Sequence, residues 1–195
     1  MKLLEYINFW DTKLFLVLNS FHSPLWDDIM WWISATYTWI PLYLFVLFFI
    51  FKEKKWKGFF TLFALILMIV LADQISVHLF KEVFERLRPC HNPDISEIVH
   101  IVKNKCGGKY GFVSSHAANT FSFALFSAIF FRKLYYTILI IAWASIVSYS
   151  RIYLGVHYPG DVVGGAILGL LLGFLVFYIY NFFERKWINQ LSIEN

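Results

Sequence analysis

Charge is what this sequence has least of: 15% of its 195 residues are Asp, Glu, Lys or Arg, against 59% hydrophobic and 21% aromatic. So little polar material cannot coat a soluble globule of this length, which excludes an aqueous fold and leaves the bilayer as solvent. No Ser/Gly/Pro-rich linker, low-complexity tract or internal repeat divides the chain, so one membrane domain over residues 1–195 is expected. Cysteine is confined to Cys90 and Cys106, without ligand spacing, and carboxylates are few, so neither a metal centre nor another cofactor is expected. Nor is a nucleic-acid partner. Only Lys2 stands as a basic lead before the first apolar stretch and no A-x-A-like site follows, which argues against a cleaved signal peptide.

What is present is apolar sequence in long runs. Crossing about 30 Å of hydrocarbon takes about 20 apolar residues, and five stretches qualify, over about 29–51, 58–80, 112–131, 134–150 and 162–183. They do not alternate as barrel strands do, and a backbone in lipid must satisfy its own hydrogen bonds, so all five are expected as helices of an all-α transmembrane bundle. The segment over 3–18 is shorter and carries Glu5, Asp11 and Lys13. Its apolar residues Leu3, Ile7, Trp10, Leu14 and Val17 recur at helical spacing, which favours an interfacial helix over about 1–20, with a sixth span as the alternative.

Orientation follows from the basic loops. Lys52, Lys54, Lys55 and Lys57, then Arg132 and Lys133, then Arg185 and Lys186 all fall on one side if the spans alternate. Lys and Arg accumulate on the cytoplasmic side, so the segments over 81–111 and 151–161 are expected to face outward. Cys90 and Cys106 lie in that outward region, where an oxidising compartment would allow a disulfide; two free thiols are the alternative.

Ionisable residues at the bilayer are expensive and mark sites, and here they gather at helix ends on one face: Lys81 and Arg88, His116, Arg151, then His157 and Asp161. Three cations and two imidazoles converging on one depth call for a polyanion such as phosphate. Lys81 and Arg88 are seven apart, so they are expected on one helix face with Pro89 ending the helix just after; headgroup snorkelling is the alternative. Pro159 suits the first turn of the last helix, placing His157 before it and Asp161 within it, close enough to meet. A carboxylate on one ring nitrogen frees the other as nucleophile or base, although a structural cap explains the same pair. Ser114, Ser115 and His116 open the third long helix, where unpaired amides and the positive dipole end favour an anion. Gly164, Gly165, Gly169 and Gly173 are read as packing residues.

The elements K-x6-R-P at Lys81 to Pro89, Ser-x-His at Ser114 to His116, and S-R-x5-H-x3-D from Ser150 to Asp161 together resemble the three-part signature of the type 2 phosphatidic acid phosphatase superfamily, which also holds vanadium haloperoxidases. The resemblance covers residues 81–161. It implies that His157 attacks phosphorus to form a phosphohistidine, that Asp161 orients it, and that His116 protonates the leaving group and then activates water. It also implies that Lys81, Arg88 and Arg151 neutralise the phosphoryl oxygens, with Ser114, Ser115 and nearby amides completing the cradle, and that no metal is needed. One departure stands out: the family's usual Pro-Ser-Gly-His reads Val113-Ser114-Ser115-His116 here.

The expected function is therefore a lipid phosphatase of a bacterial inner membrane with an outward site. Its partners would be membrane lipids and a lipid phosphate or diphosphate: undecaprenyl diphosphate, phosphatidylglycerophosphate, phosphatidic acid or a lipid A phosphate. A carrier or flippase is the alternative. Asp73 and His78 are the only deeper ionisable candidates for it, and an interhelical hydrogen bond accounts for either more simply.

Overall fold

Residues 2–188 are described by a computed structural model, and among them the chain is helical, with one isolated bridge between Leu87 and Tyr110 in place of any strand. Met1 and residues 189–195, the ends of the domain expected from the sequence, lie outside the described residues. The helices are α1 (Lys2–Ser20), α2 (Pro24–Ser34), α3 (Ile40–Lys54), α4 (Gly58–Gln74), the single turn α5 (Glu82–Phe84), α6 (Ser115–Phe131), α7 (Leu134–Tyr153) and α8 (Pro159–Phe183). A wider helical turn over Ile75–Lys81 carries α4 into α5.

Three helical stretches, Thr36–Phe84, Leu134–Tyr153 and Pro159–Lys186, are long and apolar enough to cross a membrane. The first, of 49 residues, is not one rod. Lys55, at φ 52 and ψ −133, turns the chain so that α4 packs back on α3. Large apolar side chains stand exposed along the outer faces of these helices, among them Phe45 and Phe48 of α3, Phe63 and Ile66 of α4, Leu139 of α7 and Leu171 and Phe174 of α8. Such a belt would aggregate in water and is covered by lipid. The chain is an integral membrane helix bundle.

Two expectations are corrected. The run over 29–51 is not continuous: α2 ends at Ser34, Ala35 is extended (φ −75, ψ 122), and α3 begins at Ile40. Pro41 cannot serve a helix interior, so the helix restarts just before it; the Trp39 indole donates to the Ile33 carbonyl that the break leaves free, at 2.7 Å. Lys81 and Arg88 do not share a helix face either. Glu85 takes the left-handed conformation (φ 46, ψ 28) and stops the helix before Pro89 is reached, leaving Arg88 in extended backbone.

Both ends of the bundle are recognisable. At one, Lys54 of α3 pairs with Glu184 beyond α8 at 2.6 Å and lies over the Phe130 ring of α6, so the three basic loops gather there. At the other, α6 and α8 start side by side and run parallel. They touch backbone to backbone along Gly165, Gly169 and Gly173, where an added Cβ would meet the carbonyl oxygens of Ser114, Ala118 and Ser122 at 2.4, 2.4 and 2.7 Å. Only glycine allows that approach, and it brings two helix N-termini to one point.

Helix α1 lies against this second end. Its Leu3, Ile7, Trp10, Leu14 and Val17 face is the exposed one, while Phe15 packs on Tyr158 and the Asn19 amide donates to the carbonyls of His100 and Tyr153. A disulfide joins Cys90 to Cys106 and closes the segment between them.

Candidate active site

The turn between α7 and α8 is set by local chemistry. Gly155, at φ +78, reverses the chain after α7, and a Cβ there would sit 2.5 Å from the His100 carbonyl oxygen. Tyr158 is extended and Pro159 opens α8, so Asp161 occupies the first turn with its Oδ2 accepting the Tyr158 amide at 3.0 Å. The same oxygen lies 3.4 Å from His157 Nδ1, long for a hydrogen bond. Gly111 lies against both side chains, since a Cβ there would sit 2.9 Å from Asp161 Oδ2 and 3.5 Å from His157 Nδ1. His157 and Asp161 are fully buried, at 1% and 0% exposure. Burial first, and then the charges of Arg88, Arg151 and Lys81, push the His157 imidazole well below its ordinary range, so its resting form is neutral.

The other candidates surround this pair. His116, in the first turn of α6, lies within reach of the charges of Arg151, Arg88 and Lys81. Ser114 caps α6 by accepting the Ala117 amide at 3.5 Å, and its own amide donates to the Asp161 carbonyl at 2.9 Å, which stitches the two helix N-termini together. Ser115, at the family's usual glycine, has helical backbone and uses its hydroxyl: it accepts the Lys81 ammonium at 2.6 Å and bonds the Ser76 hydroxyl at 2.6 Å. Arg88 is buried and held by three carbonyls, those of Tyr110, Cys106 and Val156, so the disulfide partner helps seat it. Arg151 donates through Nη1 to the Ser34 hydroxyl, and its Nε is buried with no hydrogen-bond partner among the described residues. A buried guanidinium N–H without an acceptor is costly unless an anion completes it.

The candidates thus come together, with Lys81 and Arg88 arriving from separate pieces of backbone. His78 stays apart: it is exposed and bonds Gln74 and Glu82 of its own helical segment, not another helix as expected. A cavity of about 130 Å³ is lined by His116 together with Asn119, Thr120, Trp39, Tyr43 and Ile69. A larger one of about 540 Å³, around Phe45, Phe49 and Tyr135, belongs to the basic end and touches none of these residues.

Two residues of the site escaped the reading of the sequence. Arg86 donates to Asp161 Oδ1 at 2.7 Å and to Asp11 Oδ2 at 2.7 Å, and its guanidinium lies 4.2 Å above the Tyr158 ring. The signal for Asp11 was an acid inside an apolar segment, taken there as a mark of interfacial position. For Arg86 it was a second arginine two residues before Arg88.

The sequence profile of the PAP2 superfamily matches residues 60–185. A lipid A 4'-phosphatase of Porphyromonas gingivalis is 40% identical over 95% of this chain and 79% of its own length. One from Bacteroides thetaiotaomicron is 41% identical over 91% of this chain and 80% of its own length. The crystal structure of a transmembrane PAP2 type phosphatidylglycerolphosphate phosphatase from Bacillus subtilis superposes with a TM-score of 0.70 at 27% identity, covering 93% of this chain and 88% of that one.

Proposed function

The chain belongs to the PAP2 superfamily, and on that premise we propose that it is a membrane lipid phosphatase acting through a phosphohistidine, with a lipid A phosphate as its leading substrate. The observation that carries the reading is the neutral, fully buried His157 set beside Asp161, among three cations of which one has a guanidinium N–H without a partner among the described residues. A neutral imidazole held through Nδ1 presents the Nε2 lone pair as nucleophile.

Nε2 attacks phosphorus and the bond from phosphorus to the lipid oxygen breaks; His116, charged once the bound phosphate anion offsets the three cations around it, delivers a proton to that oxygen. Water, losing a proton to His116, then attacks the phosphohistidine and releases inorganic phosphate, which restores both histidines. Lys81, Arg88 and Arg151 stabilise the charge on the transferring group, as does the parallel pair of helix N-termini at Ser115 and Pro159. Phosphoryl transfer asks mainly for positioning and charge stabilisation, and three fixed cations supply the role that a metal ion fills elsewhere.

The lipid A choice rests on the two 4'-phosphatases, which match nearly the whole chain. Phosphate release by detergent-purified protein, with EDTA present, from lipid A, undecaprenyl diphosphate, phosphatidylglycerophosphate and phosphatidic acid tests it. Release is expected, fastest from lipid A; faster release from another lipid changes the substrate, and none from any lipid by folded protein rejects the function.

The site is proposed to face outward from a bacterial inner membrane, because the basic loops gather at the opposite end of the bundle. Asn104 is exposed beside the site end. An Asn104→Cys variant is expected to react with an impermeant thiol reagent on intact spheroplasts, and labelling only after lysis would invert the orientation.

A further inference from the structure

Asp161 is the most deeply buried carboxylate of the site, and its Oδ1 faces a cation that the proposed chemistry does not use. Arg86 Nη1 donates to that oxygen at 2.7 Å, and Arg86 Nη2 donates to Asp11 Oδ2 at 2.7 Å. Asp11 is not a loose end. Its Oδ1 accepts the Gly160 amide in the first turn of α8 at 2.8 Å, so one carboxylate of α1 holds both the arginine and the helix start that carries Asp161. The Arg86 side chain is 20% exposed and that of Asp11 10%, and the guanidinium rests on the Tyr158 ring, so the fork has little freedom to swing.

We propose that Arg86, braced by Asp11, is a positioning residue for His157. Arg86 occupies one oxygen of Asp161 and the Tyr158 amide binds the other, which fixes the carboxylate plane and leaves Oδ2 alone to meet Nδ1. A planar guanidinium bonded at two edges sets an orientation that a lysine ammonium, a point charge, cannot. Arg86 also keeps Asp161 from a competing cation. Arg88 is close enough for its charge to act on Asp161, and an Asp161 without Arg86 would draw Arg88 away from phosphate. Helix α1 is thereby part of the catalytic apparatus, through an acid far from the three motifs in sequence.

This inference rests on His157 being the nucleophile of the proposed reaction. The test is steady-state kinetics of full-length Asp11→Asn and Arg86→Lys proteins on the lipid that wild type hydrolyses fastest, with melting temperatures measured in the same detergent. Each is expected to lower kcat about 10- to 100-fold with KM and melting temperature close to wild type. Because Asp11 acts through Asp161, Asp11→Asn is expected to add nothing further in an Asp161→Asn background. Wild-type kcat in Asp11→Asn overturns the inference. So does an equal fold-loss in both backgrounds, or a loss that vanishes once activity is expressed per folded molecule. A folded wild-type protein that hydrolyses no lipid phosphate rejects the underlying reading and this inference with it, whereas active wild type with an equally active Asp11→Asn rejects this inference alone.

Discussion

His157→Ala is expected to abolish phosphate release, lowering kcat by about 10³-fold or more, while the protein still folds. In the proposed reaction the imidazole supplies the electron pair that bonds phosphorus, and nothing else in the turn replaces it: Tyr158 OH is engaged by the Asn92 amide and Asp161 is shared between Arg86 and the Tyr158 amide. Loss of the ring breaks no short hydrogen bond of Asp161, whose contact with it is long and whose two shorter partners remain. Incubation with radiolabelled substrate followed by an alkaline quench is expected to label wild type and not the variant. Should alanine leave a cavity that unfolds the protein, His157→Gln retains the bulk and is expected to be equally inactive. Retention of normal turnover in either variant would remove His157 as nucleophile.

Arg151→Gln is expected to lower kcat/KM by about 10²–10³-fold without loss of stability. Arg151 is a half-buried cation whose Nε is buried with no partner among the described residues, near the buried cation Arg88. Burying unpaired like charges is unfavourable, so removing one relieves the resting fold while it weakens the grip on the charged phosphoryl group. The melting temperature of the variant is therefore expected to match or exceed that of wild type. Saturating orthovanadate or inorganic phosphate should raise the melting temperature of wild type, since a ligand at 100 times its Kd stabilises by about 2.7 kcal/mol, and should raise that of the variant less. A variant with wild-type kcat/KM would mean that Arg151 only anchors Ser34 and α2.

Much of this was legible in one dimension. The bundle follows from long apolar runs, whose period and length are local properties. The break after His157 was visible in Pro159, and the start of α6 in Ser114. The motifs marked which ionisable residues to watch. The expected continuity over 29–51 failed because hydropathy does not register a bend at Ala35, although Pro41 marks the restart, and the shared face of Lys81 and Arg88 failed because helical spacing says nothing once Glu85 leaves the helix. His78 was misread for a related reason: a polar residue in an apolar run can bond within its own helix as readily as across to another.

What the sequence by itself determined is the solvent of this protein, its helical class and the set of ionisable residues that mark one end of the bundle, since these depend on composition, run length and spacing. Only the tertiary structure decided how that set is held. The glycine stripe of α8 allows α6 to start beside it, so two helix N-termini meet, and Asp11 reaches Gly160 across 149 residues while Arg86 reaches Asp161 across 75. Contacts at such separation are fixed by packing, where close approach and the need of each buried charge for a partner select one arrangement, and no local pattern in the chain records that choice.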